Sequence, residues 1–375
     1  MQKIMRLGIN ILFLIPSQVG GTETYVLELI KALKSNPDNH TYYLFCNLEN
    51  RHLFQPSTNL KIITLPIKAS IRPLRLITEQ LLLPFYLLFF KIKVIFSLGY
   101  ISPWISPAKS IVTIHDLNWH YHPEDFTWFG RLIWEFTTRL SAKTAHHIIT
   151  DSTASANSIT SVLDIPATKC TAILHAAPEK IKLSSKQISK RLKNLNIHGP
   201  YLFTVISGHP HKNLITLLCA FKDLISDFPN LKLVVCGLNG RADKKNQAYI
   251  KKSDLKRKVK FLGFVDREDL VALYQHCALF VFPSAYEGFG YPVIEAMQYQ
   301  APVVSSNAFS LKQVVGQAGL LVNPYDANKF TQAIKKVLTS KKLTKDLVIE
   351  GKKRLIALQW EDTAQKTLNT ITKVK

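Results

Sequence analysis

Glu287 and Glu295 bracket the stretch of this chain best equipped for chemistry, Glu287-Gly288-Phe289-Gly290-Tyr291-Pro292-Val293-Ile294-Glu295. Two glycines let backbone approach a ligand closely. Pro292 suits the first turn of a helix, where its missing N–H costs nothing. The free N–H groups and positive dipole end of that helix favour phosphate. The two carboxylates cannot serve a phosphate; they are acceptors for hydroxyls. Anion donors beside hydroxyl acceptors suit a sugar nucleotide.

Three further loops carry groups of the same kind. Val19-Gly20-Gly21-Thr22-Glu23-Thr24 follows an apolar run and opens a helical pattern, but lacks the third glycine of a dinucleotide fingerprint. Thr113-Ile114-His115-Asp116-Leu117-Asn118 ends a strand-like run. There His115 can donate to a sugar hydroxyl and Asp116 can orient it or act as a base. By itself such a pair is more often a local structural hydrogen bond. His120 and His122 lie close by without the spacing of a metal site, and the chain has no DxD triplet. Ser207-Gly208-His209-Pro210-His211-Lys212-Asn213-Leu214 is the third loop. Lys212 can neutralise a diphosphate and Asn213 can cap or donate. A cation at a helix start opposes the helix dipole, and a bound anion would relieve it.

Short β-rich runs alternate with helical patterns and must position these loops. Strands are expected at 7–14, 41–46, 61–65, 94–97, 110–114 and 147–150, then at 201–206, 231–236, 259–264, 279–282, 302–305 and 319–322. Helices are expected at 22–35 and 128–143. Strand–helix–strand runs imply parallel sheets covered on both faces. The polar, basic segment 178–186 breaks the pattern, so the chain reads as α/β with two doubly wound domains. Ligands of such sheets bind at the carboxyl ends of strands, and each of the four loops follows a strand.

With 375 residues, 47% hydrophobic and 20% charged, the chain is long enough for two folded domains. Five scattered cysteines show no metal or redox spacing and point to a reducing compartment. The apolar run 7–15 ends at Pro16 and reads as a first strand, not a signal peptide. The uncharged run 80–90 is too short to span a bilayer and is expected to be a buried helix, with an interfacial, lipid-facing segment as the alternative. Phe85, Tyr86, Trp104, Trp119 and Trp128 are expected to be mostly core, with an acceptor groove as the alternative. The net charge of +22 is uneven. It amounts to +5 over residues 1–178 and +17 over residues 179–375. That favours a nucleotide and an anionic membrane surface as partners. Nucleic acid is not expected, because the basic runs lack interleaved aromatics.

Glu-Gly-Phe-Gly-Tyr-Pro-Val-Ile-Glu-Ala-Met at 287–297, followed by Ala301-Pro302-Val303-Val304, resembles the signature of retaining glycosyltransferases of family 4, which have the GT-B fold. Gly20-Gly21-Thr22-Glu23, His115-Asp116-Leu117, Asp151-Ser152, Pro210-His211-Lys212-Asn213 and Gly319-Leu320-Leu321-Val322 match in order, nearly end to end. The resemblance implies two Rossmann-like domains facing an interdomain cleft. Residues 1–178 would bind acceptor and 179–355 the nucleotide sugar, with a helix in 356–375 crossing back to the first domain. It implies three catalytic residues: His115 near the sugar C6 hydroxyl, Lys212 on the diphosphate and Glu287 on a sugar hydroxyl. The donor-binding residues would be Gly20, Gly21, His211, Asn213, Gly288, Phe289, Gly290 and Glu295, the last holding the ribose. The family's arginine just before Lys212 is replaced here by His209 and His211. The His-Lys-Asn ending resembles the mannosyltransferase-like branch.

The implied reaction is retaining transfer of a hexose from a nucleoside diphosphate sugar to a glycan or lipid-linked acceptor during cell-surface polysaccharide synthesis. It would need no cofactor and no metal, and would take place at the cytoplasmic face of the membrane with the leaving phosphate helping to deprotonate the acceptor. Asp116 is the nearest carboxylate to serve as a covalent nucleophile and is given little weight. A sugar-nucleotide epimerase of the same fold and a non-catalytic glycan- or membrane-binding relative are the competing readings.

Overall fold

The computed structural model describes residues 5–18, 20–36, 40–237 and 243–374. Val19, part of the predicted glycine loop, lies outside them. The chain forms two compact units, Met1–His175 with Gln359–Lys375, and Ala176–Leu358.

The first unit holds a seven-stranded sheet of β1 (Arg6–Asn10), β2 (Thr41–Cys46), β3 (Leu60–Thr64), β4 (Val94–Ser97), β5 (Lys109–Thr113), β6 (His147–Thr150) and β7 (Cys170–Ala172). Its order is β3-β2-β1-β4-β5-β6-β7, and every pairing is parallel. The second unit holds β8 (Tyr201–Val205), β9 (Lys232–Cys236), β10 (Val259–Gly263), β11 (Leu279–Phe282), β12 (Val303–Ser306) and β13 (Leu320–Val322). These run parallel in the order β10-β9-β8-β11-β12-β13. Central strands such as Val-Ile-Phe-Ser in β4 and Leu-Phe-Val-Phe in β11 are buried at every position. Helices cover both faces, so such strands read as unbroken apolar runs.

In each sheet the strand order reverses at one place, between β1 and β4 and between β8 and β11. Loops leaving adjacent strands in opposite directions open a crevice there, the usual ligand position of a doubly wound sheet. The Gly20 loop follows β1, the Lys212 loop follows β8 and the Glu287 loop follows β11.

Three expectations are corrected. β7 was not anticipated; it has three residues, none fully buried, too short for a period to show. The basic segment 178–186 is not irregular to its end, because Ser184 and Gln187 form a reciprocal capping box that starts the helix Ser185–Asn194. The run 80–90 is not a buried helix. It is divided between a π-helical turn at Thr78–Leu82, which follows the helix Arg72–Ile77, and the helix Leu83–Phe89. Pro84 removes the N–H that would bond the Gln80 carbonyl, and the Leu83 N–H reaches back to Thr78 instead. Leu83 and Leu87 face the core, while Leu81, Phe85, Leu88 and Phe89 are exposed, Phe89 at 79%. Trp119 is core, but Trp128 is 77% exposed. Among the described residues no helix is long and apolar enough to cross a membrane, and all five cysteines are free.

The helix Trp360–Lys373 packs on the helix Gly21–Ser35 within the first unit. Thr363 donates to the Leu174 carbonyl at 2.8 Å, and the Trp360 ring stacks on His175 at 5.9 Å.

Candidate active site

In the second unit the loops after β8 and β11 meet. Lys212 lies in the short 3-10 turn Pro210–Lys212, and its Nζ donates to Glu287 Oε1 at 2.7 Å. Both side chains are largely sheltered, with 19% and 12% of their surfaces exposed. The shared shelter strengthens their attraction. Backbone ties fix the pair: the His211 carbonyl accepts from the Ala285 N–H at 2.8 Å and from Ser284 Oγ at 3.4 Å. Ser310 Oγ donates to the carbonyls of Glu287 and Phe289 at 2.6 and 3.1 Å. Ser284 Oγ donates to the Tyr286 carbonyl at 3.1 Å. The Glu287–Gly290 loop is therefore held on both sides.

Gly290 caps the helix Tyr291–Gln298 at φ 104°. A side chain there is strained, and a Cβ would sit 2.6 Å from Leu311 Cδ2. No side chain caps this helix; the Val293 N–H donates to the Gly290 carbonyl at 3.1 Å. Gly288 and Phe289 are buried in the same loop.

Glu295 projects from the middle of that helix and accepts from the Tyr274 hydroxyl at 3.0 Å. Burial pushes its carboxyl up to about 7, against the lowering effect of Tyr274 and of Arg267. Tyr274 is a neighbour of Glu295 that sequence reading missed; within the buried stretch 271–274 of the helix Arg267–His276 nothing separates it from core.

Two residues expected at the donor make contacts within the protein. Asn213 is left-handed at φ 55°. Its amide donates to the carbonyls of Pro283 and Pro324 at 3.1 and 2.6 Å, while its oxygen accepts from Thr216 at 2.8 Å. A buried amide must be satisfied, and here the protein satisfies it. The His211 ring is buried and stacks on His209 with centroids 5.7 Å apart.

In the first unit His115 is not paired with Asp116. Its Nδ1 lies 3.0 Å from both oxygens of Asp151, and its Nε2 lies 3.2 Å from the Leu98 carbonyl. Asp116 instead accepts from the Tyr100 hydroxyl and the Asn118 N–H, both at 3.1 Å. The parallel sheet explains the change, because Leu98, His115 and Asp151 follow the adjacent strands β4, β5 and β6. Burial alone would lower the His115 ring; the Asp151 charge and hydrogen bond outweigh it and raise it, helped by Asp116 and Leu98. The carboxylate at Nδ1 and the carbonyl at Nε2 are both acceptors and favour the imidazolium form of the ring. His175 Nε2 approaches Asp151 Oδ1 at 3.2 Å. Burial alone would raise the Asp151 carboxyl, but the His115 and His175 rings reverse this and hold it well below the usual range. Asp151 and His175 were not singled out as functional residues; their signal was two polar residues closing apolar runs at adjacent strand ends.

Gly20 takes φ 55° at the head of the helix Gly21–Ser35 and accepts the Glu23 N–H at 3.0 Å. Its chain neighbours apart, no atom of the described residues lies within 4 Å of where its Cβ would stand, so that side of its backbone is open to approach. Among the described residues no group of three His, Cys, Asp or Glu side chains is placed to hold a metal.

The family description "Glycosyltransferase Family 4" matches residues 19–176, and "Glycosyl transferases group 1" matches residues 185–354. The chain is 29% identical over 268 residues to the O-antigen chain mannosyltransferase B of Escherichia coli, covering 70% of this chain and 69% of that protein. It is 30% identical over 226 residues to the O-antigen chain mannosyltransferase RfbU of Salmonella typhimurium, covering 60% of each. The match to the E. coli serotype-specific mannosyltransferase WbdA spans only 34% of that protein. Among solved structures, the fold is shared with sucrose-phosphate synthase from Thermosynechococcus elongatus (TM-score 0.76, 20% identity, 99% of both chains). It is also shared with Anabaena HepE in complex with UDP and glucose (TM-score 0.75, 19% identity, 99% and 100%).

Proposed function

We propose that this chain, which belongs to the family 4 glycosyltransferases and has their GT-B fold, transfers a hexose, with mannose the first choice, from a nucleoside diphosphate sugar to a glycan or lipid-linked acceptor. The observation that carries the reading is the Lys212–Glu287 pair at 2.7 Å, set on the loops of the two strands that flank the switch point. Such a pair offers a cation and a carboxylate together: Lys212 for the diphosphate, Glu287 for a hydroxyl of the transferred sugar. Gly288, Phe289 and Gly290 supply close backbone, and Glu295 takes the ribose. Gly20 and Gly21 keep the role of open backbone for phosphate. His115 acts as a positioning residue, its charge fixed by Asp151.

In the proposed reaction the acceptor oxygen bonds to the anomeric carbon as the bond to the diphosphate breaks on the same face, retaining configuration. The acceptor proton passes to the departing phosphate. Lys212 and the positive dipole end of the helix Tyr291–Gln298 stabilise the charge that develops there, in place of a metal. The O-antigen names of the two relatives and the charge of +22 support a place in cell-surface polysaccharide synthesis at an anionic membrane surface.

The test is a mass-spectrometric screen of UDP-, GDP- and dTDP-hexoses against lipid-linked glycan acceptors. One added hexose per turnover, with GDP-mannose preferred, is the expected result. Donor consumed with no acceptor product, leaving an isomerised sugar, sinks the proposal.

A further inference from the structure

The first unit contains a cavity of about 770 Å³ at its own switch point. Phe13, Ile15 and Gln18, which follow β1, line one side, and Gly99, Tyr100 and Ile101, which follow β4, line another. The remaining walls come from Leu76 and Trp104 and from Trp134 and Phe136 of the helix Trp128–Thr144. Trp104 is fixed by its backbone N–H donating to Gln80 Oε1 at 2.9 Å and its indole donating to Ser141 at 3.2 Å.

Into this apolar space reach Arg72, Arg75 and Glu79. Glu79 sits in the π-helical turn and is 1% exposed. Its Oε1 accepts from Asn10 at 3.4 Å, while its Oε2 and the Arg75 Nε have no hydrogen-bond partner. They face each other at 3.8 Å, beyond hydrogen-bonding distance. Unsatisfied buried polar atoms are costly, and π turns cluster at functional sites. An occupant with its own acceptors and donors would satisfy both groups.

We propose that this cavity binds a phosphorylated single-chain amphiphile, the lipid end of the acceptor. The phosphate sits at Arg72 and Arg75, and the apolar chain runs along Phe13, Leu76, Trp134 and Phe136. Two arginines beside an apolar slot complement an anionic head with a hydrocarbon tail. Burial pushes Glu79 up to about 7 against the pull of Arg75 and of Asn10, so near neutrality its carboxyl carries a proton to donate to a phosphate oxygen. The tail's origin is a bilayer: exposed Leu81, Phe85, Leu88 and Phe89 come just after the cavity-lining residues Arg72, Arg75, Leu76 and Glu79 in the chain, and exposed Trp128 and Phe129 open the helix that supplies Trp134 and Phe136. Calling the ligand an acceptor rests on the transfer reading, whereas the chemistry of the ligand does not.

The experiment is calorimetric titration of the full chain with farnesyl monophosphate, farnesol and inorganic phosphate. One farnesyl phosphate per chain is expected. Farnesol and phosphate alone should each bind at least about tenfold more weakly, the worth of one or two charge-assisted hydrogen bonds or of the buried chain. The double variant Arg72→Ala, Arg75→Gln should lose about tenfold, and so should Ile133→Glu, which places a charge on the cavity wall from an exposed position. Nucleotide-sugar binding by these variants should match wild type, which shows that they are folded. No binding of farnesyl phosphate, or equal binding by all variants, overturns the inference. Binding of every variant to phosphatidylglycerol vesicles alike, with no uptake of soluble farnesyl phosphate, overturns it in favour of surface docking. Expected binding with no sugar transfer to any acceptor would remove the transfer reading and leave this ligand class standing.

Discussion

Lys212 and Glu287 lie 75 residues apart and share a hydrogen-bonded ion pair of 2.7 Å. An anionic donor must therefore compete with Glu287 for the lysine. Glu287→Gln relaxes that competition, since the amide binds Lys212 less strongly. Donor binding by calorimetry should stay equal to wild type or tighten, while kcat falls by about 10²–10³, the usual loss for one transition-state contact. Lys212→Met should weaken donor binding and slow turnover together. Wild-type rates in both variants would refute the assignment.

Glu295 should make donor affinity depend on pH. Its carboxyl, pushed up to about 7, is the stronger acceptor for ribose hydroxyls when ionised, so donor affinity should rise from about pH 6 to about pH 8. Tyr274→Phe removes a hydrogen bond that lowers the carboxyl. The midpoint should move up, and the donor KM near neutrality should rise by about tenfold. A pH profile identical to wild type would separate Glu295 from the nucleotide. The same group bears on stability with a definite sign. Because the folded state holds this proton more tightly than the unfolded chain, stability falls as pH rises from the ordinary 4.5 to about 7. Glu295→Gln should remove its share of that slope in denaturant melts.

Gly290→Ala tests the loop backbone. Its φ of 104° and the 2.6 Å approach to Leu311 predict a loss of about 1–3 kcal/mol in unfolding free energy. Donor binding should fall as well, since the helix start would shift. Unchanged stability with unchanged donor binding would mean that the loop accommodates a side chain.

Asp151→Asn strips the counter-charge from a buried imidazolium and should cost about 3–5 kcal/mol. The pH dependence has two limbs. Asp151 is depressed below its ordinary 3.8, so its contribution is present above that value and lost as pH falls through the folded pKa. His115 is raised above 6.5, so its contribution is complete below that value and lost as pH rises through the folded pKa. Wild type should be most stable between these limits, and Asp151→Asn should flatten both limbs of a melting profile.

Much of this architecture is legible before folding is considered. Central parallel strands are apolar at every position, and β2, β4, β6 and β11 fall where their runs begin and end. Strands at the sheet edge carry less signal; β7 packs on one neighbour and has three residues. The exposed faces of Phe85, Phe89 and Trp128 were misread for a related reason, since apolar residues are expected inside unless a partner outside accounts for them.

Local sequence determined which residues have the chemistry: the glycines at 20, 288 and 290, the lysine at 212 and the carboxylates at 287 and 295, each placed by a strand end or a helix start. Only the tertiary structure decided their partners. Lys212 meets Glu287 because β8 and β11 are neighbours, and His115 meets Asp151 rather than the adjacent Asp116 because β5 and β6 are neighbours. Consecutive side chains diverge along a chain, whereas loops at the ends of adjacent strands converge. Pairing across a sheet is set by strand order, and no local pattern encodes it.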